Sequence, residues 1–206
     1  MLQTQTVYPE TLGILKALMQ EPLLNDFYLV GGTALSLQIG HRISVDIDLF
    51  TNEPFDSIML SAELKQKYNF KENLNRGYFL QGEIDGVKVD VLKYPYKPLN
   101  PTIEIENVRM VVLADIASMK MAAITNRGRK RDFIDLFFLL KQFSLKQIID
   151  WYQQKYDAEI FMLLQSLVYF DDADGDIDLN MIEKIDWQIV KETIELSVKE
   201  YLLSTS

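Results

Sequence analysis

The chain has no cysteine and a single histidine, His41, among its 206 residues. Without thiols there is no disulfide framework, no thiolate zinc site and no cysteine nucleophile. One histidine leaves a Ser-His-Asp triad with a single candidate base and no supporting motif. Long apolar runs are missing too: no stretch reaches the roughly 18 residues that a membrane span needs. The opening Met1-Leu2-Gln3-Thr4-Gln5 lacks the basic and apolar regions of a secretory signal. These absences predict a cytoplasmic protein with no membrane partner. Positive charge is in the minority, 21 Lys and Arg against 30 Asp and Glu for a net charge of −9. That balance argues against indiscriminate nucleic-acid binding.

What is present supports a folded enzyme. Hydrophobic residues make up 48% of the chain, enough for a genuine core, and the length suits one medium domain or two small lobes. Charge is unevenly spread. Residues 171–178 hold aspartates at 171, 172, 174, 176 and 178, whereas residues 127–131 hold Arg127, Arg129, Lys130 and Arg131. A local basic patch on an acidic protein leaves room for a phosphate-rich partner.

Periodicity predicts a helix over 8–20 and a short buried strand over 27–30 that ends in a Gly31-Gly32 turn. A helix over about 33–39 and a strand over 44–50 follow, then a helix over 57–68. Strands are expected at 70–74, 77–84 and 87–93, with Asp85-Gly86 as a hairpin turn. Pro95, Pro98 and Pro101 mark a connection between lobes. Beyond it come a short strand over 108–112 and helices near 116–126, 130–142, 145–155, 158–169 and 181–203. Asp115 is the expected N-cap of the first of these helices, and Gly128 its end. The fold class is α+β: a mixed-sheet lobe over 1–105 and a helical lobe over 106–206.

The chemistry concentrates on the strand over 44–50. Alternation puts Val45, Ile47 and Leu49 on one face and Asp46 and Asp48 on the other. At about 5 Å and an effective dielectric of about 20, two such carboxylates repel by roughly 3 kcal/mol. Protonation, intervening basic groups or a shared divalent cation would relieve that repulsion. Val87-Lys88-Val89-Asp90-Val91 alternates in the same way and offers a third carboxylate. If the two strands are neighbours, Asp46, Asp48 and Asp90 can converge as oxygen ligands for magnesium or manganese and a nucleoside triphosphate (NTP). Asp90 is also a candidate general base. Gly31, Gly32 and Thr33 open a helix whose free N–H groups suit a phosphate, and Arg42 can pair with a carboxylate or grip that phosphate.

In the helical half, Lys120 interrupts the apolar stretch Met119–Ala123 and has two readings. It extends its ammonium to water past a buried stem, or it meets the triphosphate. Asp132 and Asp135 lie at i and i+3, and Arg131 and Asp135 at i and i+4, the spacing of a helix salt bridge. The segment Asp172–Glu183 imitates a calcium-binding loop, but Ile177 stands where that loop needs glycine. A solvated acidic loop is expected there instead.

Two blocks then carry a family resemblance. The first is Leu29-Val30-Gly31-Gly32-Thr33-Ala34-Leu35-Ser36-Leu37 with Arg42-Ile43-Ser44-Val45-Asp46-Ile47-Asp48-Leu49-Phe50. The second is Leu113–Ala123 with Arg127-Gly128-Arg129-Lys130-Arg131-Asp132-Phe133-Ile134-Asp135-Leu136. Together with Tyr169-Phe170-Asp171-Asp172-Ala173, they resemble the AbiEii/AbiGii-type toxin nucleotidyltransferases of the DNA polymerase β-like superfamily. The resemblance implies a nucleotidyltransferase fold, Mg²⁺ (or Mn²⁺) dependence and transfer of a nucleoside monophosphate from an NTP. It assigns the metal to Asp46 and Asp48 and ties Ser44, Lys120, Asp132 and Asp135 to activity. On this reading an NTP lies between the lobes, with Lys120, Arg127 and Arg131 facing its phosphates. The resemblance further implies the toxin of a type IV toxin–antitoxin or abortive-infection system, a cognate antitoxin and an acceptor such as the 3′ end of tRNA. A protein or small-molecule acceptor, or an inactive nucleotide-binding module, remains an alternative.

Overall fold

The alternation of Val87, Val89 and Val91 with polar residues builds an interior strand of the sheet in the first of two compact units. A computed structural model describes residues 1–205. The first unit comprises Met1–Lys97 with Pro101–Val112, and the second Pro98–Asn100 with Leu113–Ser206.

Within the first unit, helix α1 (Pro9–Leu18) precedes strand β1 (Tyr28–Leu29), helix α2 (Gly31–Ile39) and strand β2 (Ile47–Thr51). Helix α3 (Ser57–Tyr68) leads into β3 (Lys71–Arg76), β4 (Phe79–Ile84) and β5 (Val87–Lys93), and β6 (Ile103–Ile105) and β7 (Val108–Met110) complete the unit. The seven strands form one mixed sheet in the order β3-β4-β5-β2-β1-β7-β6. The β2–β5 pair is parallel with Asp48 opposite Asp90, so the expected adjacency of the two acidic strands holds. Ile47, Leu49, Val89 and Val91 are buried on the opposite face. That burial fixes the register, because a slip of one residue would drive the carboxylates into the core.

Three local features refine the picture. Gly31 and Gly32 are not a turn ahead of α2; they are its first two residues, and Gly31 has φ +71°. A second hairpin, β6–β7, turns at Glu106-Asn107 with positive φ at both residues (51° and 65°). It lacks the glycine that announces such a turn, whereas Asp85-Gly86 has the expected residues and the same left-handed geometry. Tyr94 and Tyr96 pack as part of the unit: the Tyr94 ring lies 5.0 Å from Phe50, and Asn52 Nδ2 donates to both backbone carbonyls.

The second unit is helical: α4 (Leu113–Arg127), α5 (Lys130–Leu140), α6 (Leu145–Tyr156), α7 (Ile160–Leu167), the short α8 (Asp171–Asp174) and α9 (Trp187–Thr205). Helix α4 packs against α5, α6 and α7. Gly128 ends α4 with φ +51°. Asp115 is not the N-cap but lies inside the first turn, fully buried. Its carboxylate accepts from Leu99 N at 2.8 Å, Asn100 N at 3.3 Å and Lys155 Nζ at 2.8 Å. One side chain thereby fastens the Pro98–Asn100 segment to the helices. Residues 181–186, expected to be helical, precede α9 as irregular chain.

Candidate active site

Parallel pairing of β2 and β5 sets the site. Asp48 and Asp90 are cross-strand partners on the polar face, and Lys88 lies two residues before Asp90 on that face. The Lys88 ammonium is 2.6 Å from Asp90 Oδ2, and Gln81 Nε2 on β4 donates to Asp90 Oδ1 at 2.9 Å. Both Asp90 oxygens are therefore engaged. Burial pulls the Lys88 pKa down, but the hydrogen bond to Asp90 and the charges of Asp90, Asp46 and Asp48 outweigh it and hold it above the ordinary lysine value. All three carboxylates thus act on one ammonium. Among the described residues, no three acidic or histidine side chains close into a ready metal cluster.

The glycine pair shapes this face through two different vacancies. A Cβ on Gly31 would stand 2.5 Å from Asp48 Oδ2 and would also strain the positive φ. A Cβ on Gly32 would collide with the Arg42 guanidinium. The Asp48 carboxylate therefore sits against the first residue of α2, where the helix dipole favours negative charge. Thr33, 1% exposed, donates its hydroxyl to the Asp46 carbonyl and lies 3.0 Å from Ser44 Oγ. Buried Arg42 donates from Nη1 to the Ile43 carbonyl at 3.1 Å. Thr33, Arg42 and Ser44 thus hold the segment that carries the aspartates.

The candidates of the second unit gather in a closed cluster. Lys120 Nζ lies 3.0 Å from Asp132 Oδ1 and 2.6 Å from Asp135 Oδ2, with both aspartates fully buried. The first reading of Lys120, an ammonium in water, does not hold. Arg127, half-exposed, makes a two-point contact with Asp132 at 2.9 and 3.1 Å. Burial raises the Asp132 pKa, but the Lys120 charge and the Arg127 hydrogen bonds reverse this and leave it below the ordinary value. Arg131 is exposed in the first turn of α5.

The rest of the basic patch meets the aspartate run, which is not simply a solvated loop. Arg129 Nη1 is 2.8 Å from Asp176 Oδ1, and Lys130 donates its backbone N–H to Asp176 Oδ2 and its ammonium to Asp178. Asp174 accepts from Trp187 Nε1 at 2.6 Å.

Sequence reasoning noticed Lys88 on the Asp90 face without giving it a role, and it passed over Gln81 and Lys155. Alternation on β4 and β5 was the available signal for the first two. Nothing local marks Lys155, whose partner lies 40 positions away.

The mixed sheet followed by helices is similar to the folds of nucleotidyltransferases. Residues 13–200 match the family model described as nucleotidyl transferase AbiEii toxin, type IV TA system, and the chain belongs to that family. It is a nucleotidyltransferase of the toxin family. An uncharacterized protein of Aquifex aeolicus (strain VF5) is 38% identical over 196 residues, 87% of this chain and 90% of that protein. JHP933 from Helicobacter pylori shares the fold with TM-score 0.53 and 17% identity, over 97% of this chain and 96% of that one. MenT4, a nucleotidyltransferase toxin from Mycobacterium tuberculosis H37Rv, does so with TM-score 0.57 and 13% identity, over 90% and 79% of the two chains.

Proposed function

We propose that this protein transfers a nucleoside monophosphate from an NTP to an acceptor hydroxyl, with Mg²⁺ or Mn²⁺, as the toxin of a type IV toxin–antitoxin or abortive-infection pair in the cytoplasm. The observation that carries the reading is the polar face of β2 and β5, where Asp48 pairs with Asp90 and the Asp48 carboxylate fills the space over Gly31. The donor set suits a hard divalent ion: oxygen donors only, a cradle that a Cβ would fill, and an ammonium already standing among them as a cation. Asp46 and Asp48 would hold the ion, with Asp90 as the third carboxylate. When bound, the ion neutralises phosphate charge and polarises the acceptor.

The chain's own residues supply position. Gly31 admits Asp48, Gly32 admits Arg42, and Thr33 and Ser44 fix the Asp46 backbone. The acceptor oxygen bonds to the α-phosphorus, the bond to the bridging oxygen breaks, pyrophosphate leaves, and the hydroxyl proton passes to a carboxylate of the face. Lys120, Arg127, Arg131, Asp132 and Asp135 are assigned to activity through their match to the family's second block. The acceptor proposed first is the 3′ end of tRNA, and a cognate antitoxin is the proposed partner.

One observation favours a protein or small-molecule acceptor instead. Arg127, Arg129 and Lys130 each face an internal carboxylate, which reduces their pull on a polyanion. Incubation with each α-labelled NTP and a cell extract, followed by nuclease or protease digestion, separates the readings. Label lost to nuclease supports tRNA, and label lost to protease supports a protein. Label surviving both in the low-molecular-weight fraction supports a small molecule. No transfer from any NTP would remove the proposal.

A further inference from the structure

Asp48 and Asp90 belong to one row of a larger sheet face. The register carries that row from Asp90 to Gln81 on β4 and on to Leu74 on β3. Two residues along each strand, on the same face, Phe50, Leu92, Phe79 and Arg76 pair across in the same order. Two residues span about 7 Å, so this second row runs close beside the first. Phe50, Leu92 and Phe79 are half-buried, and Arg76 is exposed. The Tyr94 ring, 5.0 Å from Phe50, adds a third aromatic group there.

Charge on this face is divided. Asp48 and Asp90 lie on β2 and β5, and Glu83 on β4 stands in register between Lys88 and Lys71. The cations Lys71 and Arg76 lie on β3, the edge strand. Among the described residues neither makes an ion pair. Arg127, Arg129 and Lys130 differ, each being held by a carboxylate of the second unit.

We propose that Phe50, Leu92, Phe79 and Arg76 seat the last nucleotides of a single-stranded RNA acceptor, with bases on the rings and a phosphate on Arg76. The inference rests on the nucleotidyl-transfer reading and names its acceptor class. Rings spread over a sheet face fit nucleobases, which stack through their planes whatever their identity. A guanidinium with no carboxylate partner fits a phosphate. An acidic peptide would use Arg76 but leave the aromatic row idle, so the row favours a nucleic acid. RNA lying there has its terminal ribose hydroxyl within a nucleotide's reach of Asp48 and Asp90.

The test reads binding separately from transfer. Fluorescein-labelled oligo(A) and oligo(U) RNA of about 12 nucleotides are titrated by fluorescence anisotropy, with thermal melting as the folding control. The wild-type protein is expected to bind both, because stacking tolerates any base. Phe79→Leu keeps the apolar bulk and removes the ring, and it should weaken binding by about fivefold or more. Arg76→Gln should lower the slope of log affinity against log salt concentration by about 0.7. Neither variant should alter affinity for a non-hydrolysable NTP analogue. Oligo(U) with 5-iodouridine at its penultimate position should cross-link to Phe50, Phe79 or Tyr94 on irradiation. No binding of either RNA, unchanged affinity in folded Phe79→Leu, or cross-links confined to the second unit would overturn the inference. Weakened binding of the NTP analogue in place of RNA would overturn it too, by assigning the row to the donor. RNA binding intact in a wild-type protein that retains no NTP analogue would instead overturn the nucleotidyl-transfer reading beneath it.

Discussion

Each unit of the molecule holds a four-residue charge cluster, and the two are solved in opposite ways. Asp46, Asp48 and Asp90 all act on Lys88 at the polar side of the sheet, Lys88 retaining 44% of its side-chain exposure. Lys120, Arg127, Asp132 and Asp135 are balanced, two against two, with both carboxylates fully buried. A partly exposed cluster leaves its groups within reach of a ligand. A balanced closed one is satisfied by folding, and removing any member leaves a charge stranded in the interior. The first arrangement keeps chemistry available, and the second fixes shape.

The comparison breaks most sharply at Asp46 and Asp48. Asp46→Ala or Asp48→Ala should lower nucleotidyl transfer by roughly 10³-fold or more, since loss of a metal ligand forfeits several kcal/mol of transition-state stabilisation. Thermal melting should stay close to wild type or rise, because like charge is being removed from a partly solvated face. Retained activity in both variants would refute the metal-binding assignment. In the closed cluster the effect moves to stability. Asp132→Ala should cost about 3–5 kcal/mol, the usual penalty for breaking one side of a buried pair. That corresponds to a fall in melting temperature of roughly 6–20 °C for a chain of this size.

The same contrast has a pH signature. Burial raises the Asp132 pKa, but Lys120 and Arg127 reverse this and leave it below its ordinary value. Its contribution to stability is therefore complete above the ordinary aspartate range and is lost as pH falls through the lowered folded-state value. Asp132→Asn should flatten that acid limb in melting curves taken from neutral to acid pH. An unchanged limb would show that the charge of Asp132 does not stabilise the fold.

What was legible in the sequence divides along the same line. Alternation around Asp48 and Asp90 revealed the open face, because strand periodicity is local and its apolar partners Ile47, Leu49, Val89 and Val91 are all buried. The strand begins only at Ile47, however, so Asp46 precedes it and Val45, expected on the buried face, is exposed. The helix ends at Gly128 and the Asp85-Gly86 hairpin were legible for similar reasons of local stereochemistry. The buried partnerships were not. Asp115 read as an N-cap by its position ahead of an apolar run, yet its charge is claimed by Lys155, 40 residues on. Likewise the β6–β7 turn places Glu106 and Asn107 at positive φ, an outcome imposed by pairing in the sheet over local preference. Gly31 and Gly32 read as one phosphate-approach motif, whereas they make room for two different side chains of the same unit.

That division within the glycine pair sharpens the comparison at smaller magnitude. Gly31→Ala meets both a positive φ and the Asp48 carboxylate, and it should cost about 1–3 kcal/mol and most of the activity. Gly32→Ala keeps an ordinary φ and meets the end of the Arg42 side chain and, at 3.2 Å, the Ser44 hydroxyl, and should leave more of both. Equal losses in the two variants would mean that Asp48 placement does not depend on its cradle.

The smallest expected effect falls on the rim of the second unit. Arg129 keeps 57% of its side-chain exposure while pairing with Asp176 at 2.8 Å, so solvent screens the pair. Arg129→Gln should change stability by less than about 1 kcal/mol, against the several expected at Asp132. Its more informative readout is salt dependence with RNA. Because Asp176 already occupies this guanidinium, the substitution should barely alter the slope of RNA affinity against salt concentration. Asp176→Asn, which frees the same cation, should steepen that slope. A large loss of RNA affinity in Arg129→Gln would show that the exposed pair opens for a polyanion, unlike its buried neighbours around Lys120.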